Sequence, residues 1–185
     1  MSKLLYIPLL LFGLSITSTM FASERSDREG RIYVGFVGAG AGYFRISNDD
    51  LLNEDGALKG YGGAWQGYVG FDASRTLAFE AVYTDFGKVS DGRASTELTA
   101  VSVSMLLHLP LSESAAPYGK VGMMLWDRKR SFGSLSADDE GDDVFFGLGM
   151  RFSRGSNVDT RFEYERLAVG DTNVDMVSVK VQIRF

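Results

Sequence analysis

Val174–Phe185 reads VDMVSVKVQIRF, and this stretch decides the fold. From Asp175 onward one parity holds Val177, Val179, Val181, Ile183 and Phe185, and the other holds Met176, Ser178, Lys180, Gln182 and Arg184. Alternation with a period of two is the signature of a β-strand with one apolar and one polar face. Because the stretch closes on an aromatic residue with no polar tail, its apolar face is expected to meet a solvent other than water.

Similar stretches recur back along the chain. VDTRFEYERL (158–167) sets Arg161, Glu163 and Glu165 against Thr160, Phe162 and Tyr164, and VFFGLGMRFS (144–153) sets Phe145, Gly147, Gly149 and Arg151 against Phe146, Leu148, Met150 and Phe152. ELTAVSVSMLLHLP (97–110) alternates Val101, Val103, Met105 and Leu107 with Ser102, Ser104, Leu106 and His108. TLAFEAVYTDFG (76–87) places Glu80 on the parity opposite Phe79 and Tyr83. YGGAWQGYVGFD (61–72) and the glycine-rich RIYVGFVGAGAGYFRI (31–46) read as two further strands. In YGKVGMMLWDRK (118–129) Lys120, Gly122, Met124 and Trp126 share a parity, and a bulge between Lys120 and Trp126 would change which of them faces in; both facings stay open.

The sum is eight strands of roughly ten residues, the length a tilted strand needs to cross a bilayer. Polar connections at 47–60, 88–96, 130–143 and 168–174 follow the odd strands, and short turns follow the even ones. An eight-stranded antiparallel up-and-down transmembrane β-barrel has this alternation, with both ends of the mature chain on the turn side. Composition agrees, since 22 glycines, only 3 prolines and 12% aromatics suit strands.

The first segment, MSKLLYIPLLLFGLSITSTMFA, has one lysine, an apolar run and then small polar residues, which predicts a secretory signal at 1–22 and a barrel domain at 23–185. The apolar run is too short for a spanning helix and carries Pro8. The absence of cysteine excludes disulfides and a lipid anchor on an N-terminal cysteine. A formal charge of −5 argues against nucleic acid, whose phosphates require a basic footprint.

The inward parities carry Glu80, Arg151, Arg161, Glu163, Glu165, Lys180 and Arg184, with Lys120 added if its parity faces in. Both signs are present, and buried charge is tolerable only when paired. An eight-stranded lumen is just wide enough for side chains to fill, so the expectation is a salt-bridged plug in preference to an ion path.

The segments YVGFD, FEAVYTDFG, APYGKVGMMLW, FFGLGMRF, DTRFEYER and VSVKVQIRF, taken in order, resemble the eight-stranded transmembrane domain of OmpA-type outer-membrane proteins over most of 31–185. The resemblance implies that Glu80, Lys120, Arg151, Arg161 and Glu163 fall at or near interior charged positions. Where such proteins can carry an interior lysine on the fourth strand this chain has Leu106, which is a departure from the family's gating pair. It also implies that Phe185 is the signal read by the outer-membrane assembly machinery, and that the periplasmic peptidoglycan-binding domain is absent. The expected partners are outer-membrane lipid and lipopolysaccharide, the barrel assembly machinery and an unidentified surface receptor, with the barrel itself monomeric.

The leading functional expectation is a non-enzymatic envelope protein that presents its loops for surface contact, with no cofactor and no metal. Three alternatives compete with it. A lipid A-modifying enzyme would need a nucleophile and base, and only His108 is available, on the turn side. A small ion-conducting barrel would need an open lumen. A soluble lipocalin-like binder would need the parities inverted, with the apolar face inside. The acidic run Asp138–Asp143, five carboxylates in six positions, does not match the twelve-residue calcium loop and reads as a solvated, self-repelling loop.

Overall fold

The structure is a computed structural model and describes residues 34–47, 61–91, 94–112, 114–132, 135–153, 157–170 and 172–185. Eight strands follow one another: β1 (Val34–Ser47), β2 (Tyr61–Asp72), β3 (Leu77–Asp91), β4 (Ala94–His108), β5 (Ala115–Phe132), β6 (Leu135–Ser153), β7 (Val158–Val169) and β8 (Thr172–Arg184). Each pairs antiparallel with its neighbours in sequence, and β8 returns to β1, so the barrel is closed. Closure removes every sheet edge within the barrel wall, which is what a strand protein needs inside hydrocarbon.

The register fixes the dimensions. Starting at Phe36 and stepping straight across the strands, the path runs through Gly70, Glu80, Ser104, Gly122, Phe145, Leu167 and Val174 and re-enters β1 at Ile46. The return point lies 46 minus 36, or ten, residues beyond the start. Eight strands with that offset tilt by about 40° and enclose a backbone radius of about 8 Å. Side chains from opposite walls fill such a bore.

The parities read from sequence hold on β3, β4, β7 and β8. Val177, Val179, Val181 and Ile183 are exposed on the outside together with Phe79, Val103, Phe146 and Leu148, while Glu80, Ser104, Arg161 and Lys180 are buried inside. The inverted, lipocalin-like arrangement is thereby overturned: the apolar face points outward. On β5 the open question closes, since Tyr118, Lys120, Met124 and Trp126 are buried and Val121, Met123 and Leu125 exposed, with unbroken pairing to both neighbours. Gly35 and Arg45 are ten residues apart on the outer face of β1, a rise of about 25 Å at this tilt, the height of an outer-membrane apolar band. Aromatic pairs sit near both rims of the band: Tyr43 with Tyr61 and Trp65 with Tyr83 toward the loops, Phe71 with Phe79 and Phe152 with Phe162 toward the turns.

The expected connections need three corrections. The polar stretch 88–96 is largely strand, β3 continuing to Asp91 and β4 starting at Ala94. Phe86 ends the run of inward residues that begins at Ala78, and the register shifts between Asp85 and Lys88, where Gly87, at φ 65°, donates its N–H to Asp85 Oδ1 at 2.7 Å. The acidic run is likewise no loop: Asp138–Asp143 lies in β6, cross-strand from the basic end of β5, with Lys129 opposite Asp138 and Arg128 opposite Asp139. Opposite charges across the ladder make a strand of residues whose propensities favour a loop. Finally, the last connection is not long; Val169 pairs with Thr172, and Gly170 at φ 57° makes the reversal. The leader, the signal segment and residues 48–60 lie outside the described residues.

Candidate functional site

Strand β7 samples the whole lumen. From the turn side to the loop side its inward residues are Asp159, Arg161, Glu163, Glu165, Leu167 and Val169, all buried. They mark three layers: an ion-paired rim, a charged centre and an apolar cap.

The centre holds three cations and three carboxylates. Lys120 Nζ lies 2.8 Å from Glu80, 2.7 Å from Glu165 and 3.5 Å from Glu163. Arg161 reaches Glu80 at 2.5 Å and also pairs with Glu163, while Lys180 reaches Glu163 at 2.5 Å and Glu165 at 3.5 Å. Neutral groups complete the set. Gln66 donates to Thr84 and to Glu165, each at 3.1 Å, Arg161 donates to the Tyr118 hydroxyl at 2.9 Å, and that hydroxyl donates to Glu163. The Arg161 guanidinium sits between the Tyr68 and Tyr118 rings, 5.1 Å from each centroid, so its faces as well as its edges are occupied.

The glycines of the wall make room for these long side chains. Gly38 is the cross-strand partner of Tyr68, Gly40 of Lys180 and Gly149 of Tyr118. A Cβ at any of the three would collide with the side chain opposite. The small parity of the first strand is thus the space occupied by the stems of the central network.

Arg151 and Arg184 do not join that centre. They face the turn side, where Arg151 pairs with Asp72 at 3.4 Å and Arg184 with Asp159 at 2.9 Å. Gln182 links the two layers, its amide nitrogen donating to Asp159 at 3.1 Å and its oxygen accepting from Arg161 at 3.2 Å. His108 is buried in this rim against the Tyr118 ring, at 5.1 Å between centroids. Leu106 is buried directly opposite Lys120, so an apolar side chain stands where the resemblance allowed a lysine. Phe185 is half exposed and exchanges backbone hydrogen bonds with Gly35 at 2.9 and 3.1 Å, completing the seam between the first and last strands.

The loop-side layer was missed by the sequence reading. Phe44, Phe86, Met124, Trp126, Phe145, Leu167, Val174 and Met176 form one buried apolar cluster across the bore. Phe44 meets Phe86 edge to face at 5.1 Å, and the Trp126 indole donates to Asp143 at 2.8 Å. The same carboxylate oxygen accepts the Gly170 N–H at 2.8 Å, fastening the final hairpin to the base of the β5–β6 hairpin. The signal was available in the inward parity itself, where Leu167, Val174 and Met176 succeed the charged positions. The other unforeseen partners, Asp72, Asp159, Gln66, Gln182 and Tyr118, are single polar residues whose pairing depends on which strands close the barrel.

Above the cap the wall continues as a sheet. β5 and β6 are 18 and 19 residues long, against 12 and 13 for β7 and β8. On the β7 side β6 is paired only as far as Phe145, while toward β5 it continues to Leu135. Arg128 and Asp139 pair across this extension at 3.3 Å, and Lys88 and Glu97 pair across the neighbouring β3–β4 hairpin at 3.4 Å.

Comparison with known proteins points the same way. The family model described as "Outer membrane protein beta-barrel domain" matches residues 9–185. Neisserial surface protein A superposes with a TM-score of 0.69 at 16% identity, covering 82% of this chain and 97% of that one. Ail, the attachment invasion locus protein of Yersinia pestis, gives 0.61 at 17% identity, with 82% and 98% covered. The N-terminal barrel domain of Pseudomonas aeruginosa OprF gives 0.61 at 12% identity, with 85% and 100% covered. No curated protein matches the chain in sequence.

Proposed function

Because this chain belongs to the outer membrane protein β-barrel domain family and so resides in the cell outer membrane, we propose that it is a non-enzymatic, non-conducting scaffold that holds the β3–β6 sheet beyond the outer leaflet for contact with external partners. The observation that carries this reading is the length of the β5–β6 hairpin on a bore filled by buried side chains. A transmembrane strand needs roughly 9–11 residues, so some eight residues of each long strand project past the bilayer. Short turns face the periplasm in such barrels and long connections face out, which directs the projection to the cell surface.

Two layers argue for a scaffold in preference to a pore. The central charges balance, so no cation or anion is left to draw a counter-ion through, and the apolar cap would have to part and fill with water for any ion to pass. Chemistry is disfavoured as well, because the acid and base groups of the lumen are engaged with one another and covered. His108 lies beneath Tyr118 at the periplasmic rim, away from the outer leaflet. Surface contact is the use left to the fold; Ail is named for attachment and invasion, and a similar task is proposed here.

The test is to shorten the β5–β6 hairpin by replacing residues 128–139 with a two-residue turn. The shortened protein is expected to keep its heat-dependent gel mobility, the sign of a folded barrel, while cells carrying it lose adherence to host cells or matrix relative to cells carrying the full-length chain. Equal adherence by both would refute the surface-contact role, and steady conductance by the wild-type protein would refute the closed scaffold.

A further inference from the structure

The outer wall carries a second kind of site. Across β1, β8, β7 and β6 a shallow groove of about 730 Å³ crosses the lipid-facing surface, floored by Ala41 and Val179 and flanked by Tyr43, Phe162, Tyr164 and Leu148. It exists because Ala41 is a small residue among large neighbours. Its loop-side border is a row of charges on the same outward parity: Arg45, then Asp175, then Arg166, each the cross-strand partner of the next. Arg166 is held by Asp175 at 3.0 and 3.4 Å, and the Tyr164 hydroxyl donates to the same carboxylate at 2.6 Å. Arg45 is exposed on the other side of Asp175.

We propose that this groove and its arginine border form a binding site for a phosphorylated, multiply acylated lipid of the outer leaflet, one acyl chain lying over Ala41 and a phosphate resting on Arg45 and Arg166. The inference rests on the membrane placement above. By height along the wall Arg45 falls at the loop-side edge of the apolar band, the level of lipid headgroups, and Arg166 lies two strands away and about 6 Å deeper at this tilt. Arginine costs little near the interface on a barrel's lipid face, and guanidinium geometry suits phosphate. The Asp175 carboxylate repels a phosphate, yet the row keeps a net positive charge and Asp175 fixes the Arg166 fork in place.

A second groove supplies an internal contrast. It lies over Ala81 between Phe71, Phe79, Val103 and Met123, with a volume of about 530 Å³. The row on its loop side is Gly67, Tyr83, Val101 and Leu125, without charge. Hydrocarbon tails are as apolar as the wall, so a groove alone confers little preference for one lipid over another. The arginine–phosphate contact therefore decides selectivity, and only the first groove has it.

The full chain, refolded in detergent micelles and checked for heat-dependent gel mobility, would be titrated with bis-phosphorylated hexa-acyl lipid A, with the same lipid stripped of phosphate, and with inorganic phosphate, retention being read by native mass spectrometry. The expected order is tight retention of the first and on the order of tenfold weaker retention of the second, with none of the third. Arg45→Gln is expected to remove most of the phosphate preference, Arg45→Lys to keep part of it, and Ala41→Phe, which fills the groove, to weaken both lipids. All three changes face lipid, so the gel shift should persist. A folded wild-type barrel that binds phosphorylated and stripped lipid equally, or an Arg45→Gln protein that behaves as wild type, would overturn this site and leave the scaffold reading standing. Failure of the wild-type chain to fold in detergent or lipid would overturn both.

Discussion

In the middle of the lumen three cations and three carboxylates hold one another within 3.5 Å, whereas at its loop-side end Phe44, Phe86, Phe145, Leu167 and Met176 pack with almost no polar contact. Both regions lie on the same inward parities of the same strands and both are buried. The charged layer is held by pairings that fail together when one member goes, because each carboxylate serves at least two partners. The apolar layer is held by contact area and volume, and its losses are local. The first contributes uniqueness of register and the second closes the bore to water.

Substitution can break or sharpen that contrast. The largest effect is expected for Arg161→Met, which leaves Glu80 and Glu163 short of a cation; urea titration in lipid vesicles should show a loss of about 3–5 kcal/mol, and a loss below about 1 kcal/mol would mean that the centre is wetter than its burial indicates. Phe145→Ala opens a cavity in the cap and should cost about 3 kcal/mol in the same titration. Its further expected mark is faster hydrogen exchange at the loop-side ends of β6 and β7, with the central residues still protected. Asp143→Ala releases the Trp126 indole and the Gly170 N–H from their common acceptor and should cost about 1–2 kcal/mol. The smallest effect belongs to Lys88→Ala on the projecting sheet. Its partner Glu97 is about half exposed, so no more than about 0.5 kcal/mol is expected at low salt and nothing measurable at 1 M salt.

The wall was more legible in sequence than either region it encloses. Alternation alone puts Val177, Val179 and Phe162 on one face and Arg161, Glu163 and Lys180 on the other, because a period of two admits no third orientation, and the closed barrel decides which face meets lipid. It was silent on β5, where Lys120, Met124 and Trp126 mix chemistries on one parity. It misled at the projecting sheet, since Asp138–Asp143 has the composition of a loop and becomes a strand only when Arg128 and Lys129 lie opposite. The cap was overlooked for a related reason: Leu167, Val174 and Met176 continue the parity of the charged residues but have the chemistry of lipid-facing ones, and closure of the barrel packs them against one another. Which carboxylate meets which cation is a property of register, so the presence of the network could be read and its split into a centre and a rim could not.

The two tryptophans stand on opposite faces of the barrel wall, Trp65 outward beside Tyr83 and Trp126 inward within the cap. Single-tryptophan proteins made with Trp126→Phe and Trp65→Phe, refolded in vesicles, can be quenched from the bilayer by brominated acyl chains and from water by iodide. In a closed barrel with its apolar face outward, Trp65 is expected to be quenched strongly by the brominated lipid and Trp126 to be shielded from both. Quenching of Trp126 by lipid would mean that the wall is inverted, and quenching by iodide would mean that the lumen is open.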